Sequence, residues 1–153
     1  MTPAAKPGIP LEIQPFFEAV AERKGMGLVA LDIRGRSSVS DFLVIVSARS
    51  TRQAIAMAEH IVDFMAARKK KPLGKEGLET GQWALLDFGD VVVHVFYEVV
   101  RSFYDLEGLW ADVPRIRPEP SSNEARKDSP DEEDEDGENP EDEDEDGENP
   151  EED

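Results

Sequence analysis

The sequence predicts an α/β fold, a mixed sheet of about five strands flanked by helices. Three observations lead there. Trp83 to Phe88 and Val91 to Tyr97 are apolar runs parted by a short Gly-Asp break, as in adjacent strands joined by a tight turn. Two more runs, Gly27 to Arg34 and Phe42 to Ala48, carry Val, Ile and Leu at strand lengths. Between and before them lie two stretches whose apolar residues recur with the helical period.

In chain order, Leu11 to Lys24 reads as a helix. Leu11, Ile13, Phe16, Phe17 and Val20 form its stripe, and Gly25 is placed to stop it. Gly27 to Arg34 follows as a strand with Val29, Leu31 and Ile33 on one face. A polar loop over Gly35 to Ser40 leads to the second strand, Phe42 to Ala48. Ser50 opens the longest helix. Its hydroxyl is set to accept the Gln53 amide while the Gln53 side chain returns to the Ser50 amide, a capping box. Ala54, Ile55, Ala58, Ile61, Val62 and Met65 make the buried stripe. Arg68, Lys69, Lys70 and Lys71 close the helix with the charge its C-terminus favours.

A weak strand is expected near Pro72 to Glu76, then a loop with Gly77 and Gly81, then the hairpin. Gly89 supplies the turn's backbone freedom. Val91, Val93 and Val95 point one way from the last strand, and Val92, His94 and Phe96 the other. Both faces are apolar, so this strand should be central and covered on both sides. A short helical segment follows, crowding Phe103, Tyr104, Leu106, Leu109 and Trp110 around Arg101, Asp105 and Glu107.

Charge divides the chain. Residues 119–153 hold 20 of the 35 acidic side chains against two basic ones, so the whole net charge of −18 resides there. Residues 1–118 balance 15 acids with 15 bases, which offers nothing for a nucleic-acid backbone in particular. The segments 131–140 and 141–150 are near copies without an apolar residue, and should stay extended. The expected organisation is a flexible N-terminus over 1–10, a folded domain over 11–113 and a disordered acidic tail over 114–153. Three roles stand open for the tail, repulsion from RNA, tethering to basic proteins, and solubility or charge screening, with the last favoured.

Chemistry is mostly missing. There is no cysteine, so neither a disulfide framework nor thiolate chemistry. With only His60 and His94 as further soft ligands, no structural metal site is expected. His94 sits inside an apolar strand, where a satisfied core or interface histidine is the expected role. Asp87-Phe88-Gly89 spells a kinase metal triplet, but its companion motifs are absent and a strand-ending turn explains it. No phosphate-cradling glycine loop occurs. MTPAAKPGIPLE lacks a signal peptide's apolar core, and no apolar run approaches the ~20 residues that span a bilayer. A soluble cytoplasmic protein without cofactor is expected.

Four blocks in order resemble the iojap/RsfS family, the bacterial ribosomal silencing factors. They are the strand ending LDIRG with SDFLVIVSARSTRQAIAMAEHI (Ser40 to Ile61), the Glu76-Gly77 pair, WALLDFGDVVVHVF (Trp83 to Phe96), and the R-x-F-Y-D-L-E-x-L-W segment from Arg101 to Trp110. The likeness runs over roughly Leu11 to Val113. It implies a nucleotidyltransferase-like fold without established catalysis. It further implies binding to the large ribosomal subunit through ribosomal protein L fourteen, obstruction of small-subunit joining, and lowered translation in starved cells. It leaves room for a homodimer in the free state, and implies no DNA or membrane partner.

Two rival readings stand beside it: a nucleotide-binding enzyme on that fold, and an acidic chaperone for basic ribosomal proteins. Against the enzyme, Gly35-Arg36-Ser37 lacks the adjacent Gly-Ser of a transferase turn, and only Asp41 follows it. That cannot hold two metal ions. Under the leading reading, the partner-binding residues are Trp83, Asp87, Asp90, His94, Tyr104, Asp105, Glu107 and Trp110. The aromatics would anchor and the carboxylates would meet a basic protein. Core packing explains Trp83 and Trp110 equally well, and it is the expected place of Phe103 and Tyr104.

Overall fold

The computed structural model describes residues 8–118. The expectations for residues 119–153 and for 1–7 therefore lie outside the described residues. In order, the elements are α1 (Gln14–Glu22), β1 (Met26–Asp32), β2 (Phe42–Ala48), α2 (Thr51–Ala66), β3 (Gly74–Glu76), β4 (Trp83–Asp87), β5 (Val91–Tyr97), α3 (Glu98–Tyr104), α4 (Leu106–Leu109) and β6 (Arg115–Ile116). The six strands form one sheet in the order β3-β4-β5-β2-β1-β6. β2 and β5 run parallel and every other pair is antiparallel. The sheet is mixed and flanked by helices, as expected from the apolar patterning.

The sixth strand was not anticipated. Arg115 and Ile116 pair with Leu31 and Ala30, placing them in the sheet although they lie past Val113. Two residues are too few to show alternation, and Pro114 before them reads as an end.

β5 lies in the middle, as its two apolar faces required. On one side Val91, Val93 and Val95 join Val44, Phe16, Val20, Met57 and Ile61 beneath α1 and α2. On the other, Phe96 joins Leu31, Ile33, Ile45 and Val113, with Val100, Leu106 and Trp110 packed against them. All seven residues of β2 are buried. Gly89 has φ +90°, the conformation its turn requires.

Helix boundaries shift for identifiable reasons. α1 starts at Gln14, and Leu11 is exposed before it. Its end is a Schellman arrangement. The Lys24 amide donates to Ala21 O (3.1 Å) and the Gly25 amide to Val20 O (3.2 Å), with Lys24 in the left-handed position at φ 57°. Gly25 is needed for space instead. A Cβ there would stand 2.6 Å from both Val20 and Val46. Lys24→Gly should then raise stability by about 1 kcal/mol, because a lysine in this conformation carries strain that glycine does not. Equilibrium urea unfolding reads it. A lowered midpoint would mean that the lysine stem makes a stabilising contact.

The N-cap of α2 forms as expected on one side, with the Gln53 amide donating to Ser50 Oγ at 3.0 Å. The return bond differs: Gln53 Oε1 accepts from the Arg49 amide at 2.7 Å, one residue earlier than Ser50. α2 ends at Ala66, so Arg68 to Lys71 follow the helix, and they close it from outside. The Arg68 and Lys70 amides donate to Met65 O, the Lys69 amide to Ala66 O, and Arg68 Nη1 to Phe64 O at 3.3 Å. Arg68 lies over the Phe64 ring, 3.8 Å from its centroid.

Candidate partner-binding surface

The aromatic segment folds as two short helices. Asp105 separates them, in the left-handed conformation at φ 49° that Asp adopts more readily than most residues. Residues four apart share a helical face. Val100 and Tyr104 lie toward the sheet, where Val100 packs on the second core and Tyr104 reaches its margin. Val99 and Phe103 share the outer face and are exposed. Phe103 is 79% and Tyr104 52% exposed, which overturns their expected core placement. Seven residues of helix present only one narrow side to the sheet.

From this margin a row of rings runs inward. Phe103 and Tyr104 meet edge to face at 5.1 Å between centroids. Tyr104 lies 4.9 Å from Trp83, and Trp83 lies 4.8 Å from the fully buried Phe96. Trp83 is half-buried, so it belongs partly to the core and partly to the surface. Its indole Nε1–H donates to His94 Nδ1 at 3.0 Å. An indole nitrogen only donates, so His94 must accept, which makes it a neutral imidazole carrying its proton on Nε2. Burial, at 6% exposure, pulls its pKa down to about 4. His94 is therefore a support beneath Trp83, with little surface of its own.

The remaining expected site residues do not gather here. Asp87 and Asp90 flank the β4–β5 turn, while Trp83 begins β4 opposite Phe96. Four residues of strand, roughly 13 Å, separate Asp87 from Trp83. The Asp87 carboxylate shapes its own turn, with Oδ1 accepting from the Gly89 amide at 2.8 Å. Asp90 is exposed and its carbonyl accepts the Asp41 and Phe42 amides. Trp110 is half-buried against the second core. Glu107 is occupied, since its carboxylate takes Arg101 Nε at 2.7 Å and lies 3.7 Å from Arg115 Nη1. Asp105 alone of the acidic group stands exposed beside the aromatic face.

Two features were missed. Leu109 and Val99 extend the exposed apolar face, a signal present in the four-residue spacing of Val99 and Phe103. Arg101 also donates through Nη1 to Ser47 Oγ at 2.9 Å, a partner 54 positions away that no local pattern announces. Among the described residues, no cluster of three or more His, Cys, Asp or Glu side chains is arranged to hold a metal. No described helix is long and apolar enough to cross a membrane.

Residues 7–146 match the family described as ribosomal silencing factor during starvation. The chain belongs to this family. A ribosomal silencing factor RsfS of Zymomonas mobilis is 38% identical over 93 residues, covering 61% of this chain and 70% of its own. A crystal structure of a Bacillus halodurans protein superposes with a TM-score of 0.63 at 34% identity, covering 70% of this chain and 97% of that one. A more distant mouse relative is named for mitochondrial assembly of the ribosomal large subunit. It is 26% identical over 111 residues, which cover 71% of this chain and 49% of the mouse protein. The silencing-factor match includes the whole aromatic face and the Arg101–Glu107 pair, and reaches past Val113 into the acidic run.

Proposed function

We propose that this chain represses translation in the cytoplasm by binding the large ribosomal subunit through ribosomal protein L fourteen, so that the small subunit cannot join. Membership of the silencing-factor family carries this reading. The uncovered face of α3 and α4 supports it physically. Phe103, Tyr104 and Leu109 are large exposed side chains on a short, continuous stretch, and Trp83 backs them. Large rigid aromatics of this kind dominate binding energies. Asp105 beside them gives a basic partner a charge to meet. The action is occlusion, with no chemical step. When no subunit is available, the same face is expected to pair with a second copy, which sedimentation equilibrium of the free protein reads directly.

The test is sedimentation with purified subunits. The protein should travel with large subunits, not with small ones, and saturating amounts should prevent the two from joining. Equal association with both subunits, or normal joining at saturation, overturns the proposal.

A further inference from the structure

The aromatic face rests on an insecure platform. Neither α3 nor α4 contains a fully buried residue, so few apolar contacts hold them to the sheet. One polar assembly spans that gap. The Arg101 guanidinium, its side chain 16% exposed, reaches from α3 to Ser47 on β2 and to Glu107 on α4. Glu107 is in turn held from β6, where Arg115 Nη2 donates to its carbonyl at 3.2 Å. The assembly thereby joins both helices, the central strand and the edge strand.

Charge-assisted hydrogen bonds of this length in a partly desolvated site are stronger than neutral ones. They also fix direction, because the guanidinium fork meets two acceptors at set angles. Asp105 sits between the two helices in a conformation that permits a sharp corner and does not by itself hold one. Without the fork, the segment from Glu98 to Trp110 keeps Val100, Leu106 and Trp110 as apolar attachments to the core, and the Tyr104 ring against Trp83 at its margin.

Building on the proposed subunit binding, we infer that Arg101 and Glu107 are positioning residues for it. They touch no partner. They hold Phe103, Tyr104 and Leu109 in one arrangement before contact, which removes an ordering cost from binding. A face that is correctly arranged only part of the time binds more weakly by that fraction.

The experiment uses the full chain with Arg101→Gln, Glu107→Gln, the two combined, and Arg101→Lys. Each is measured for affinity to large subunits and for amide hydrogen exchange. Either Gln variant should weaken binding about tenfold, equivalent to about 1.4 kcal/mol. Exchange should quicken over residues 98–110 and stay unchanged in β2 and β5. The combined variant should bind like the single ones, because the pair acts as a unit. Arg101→Lys keeps a charge for Glu107 without the fork, and should fall between wild type and Arg101→Gln. Weaker binding with unchanged exchange in α3 would make these residues direct contacts, overturning the inference. Faster exchange with unaltered affinity would overturn it equally. If the wild-type chain itself does not bind large subunits, the proposed function fails, and exchange still reads whether the pair orders the segment.

Discussion

Replacing Phe103 and Tyr104 together by Ala should weaken association with large subunits by at least a hundredfold. Interface anchors of this type commonly contribute about 2 kcal/mol or more each, and each 1.4 kcal/mol is a factor of ten. The fold should tolerate the change. Phe103 is largely solvated and touches mainly Tyr104. Tyr104 gives up its contact with Trp83, which costs about 1 kcal/mol on the scale of aromatic pairs. Circular dichroism and thermal unfolding separate folding from binding. A parallel variant, Asp87→Lys with Asp90→Lys, probes the far end of β4. It should disturb binding less than loss of the two rings, and chiefly at low salt. A folded double-alanine protein that binds like wild type moves the interface off this face. A larger loss in the lysine variant places it at the turn.

Acid should destabilise the domain through His94. In the unfolded chain its imidazole takes up a proton near pH 6.5, whereas in the fold burial holds it neutral down to about 4. Its contribution is therefore complete above pH 6.5, is lost progressively between 6.5 and about 4, and changes no further below. At 1.36 kcal/mol per unit the full loss is about 3 kcal/mol. Protonation also removes the lone pair that accepts the Trp83 indole, so the ring row loses its support as the charge is buried. His94→Gln retains an acceptor without an ionisable group. Urea midpoints at pH 7 and pH 4.5 should converge toward each other in the variant relative to wild type, the carboxylates being common to both. Equal losses in the two proteins would show that His94 does not carry the acid sensitivity.

The strands of the central sheet were legible because burial writes itself into composition. β2 and β5 lie deep in the structure, so their residues are apolar or small except His94 and Tyr97, and their bounds appear directly as Phe42–Ala48 and Val91–Tyr97. The family was legible as a resemblance carried by ordered blocks, which include these runs and the aromatic segment after them. The Ser50 cap was readable as a local bond, while its return partner depended on where the Arg49 amide came to point.

By itself, then, the sequence determined the α/β class, the central place and two faces of β5 and, through its ordered blocks, the family resemblance. The class and the strand faces follow from periodicity and local capping, which act over a few residues, and the family from the resemblance of the blocks. Only the tertiary structure decided which aromatics face outward, that Arg101 ties Glu107 to Ser47, and that β2 runs parallel to β5. Each of these depends on contacts between distant residues, Arg101 with Ser47 or Ile116 with Ala30. A short helix on the surface satisfies its own backbone whichever way it turns. The sheet beneath it, and the few side chains that reach down to that sheet, set its orientation.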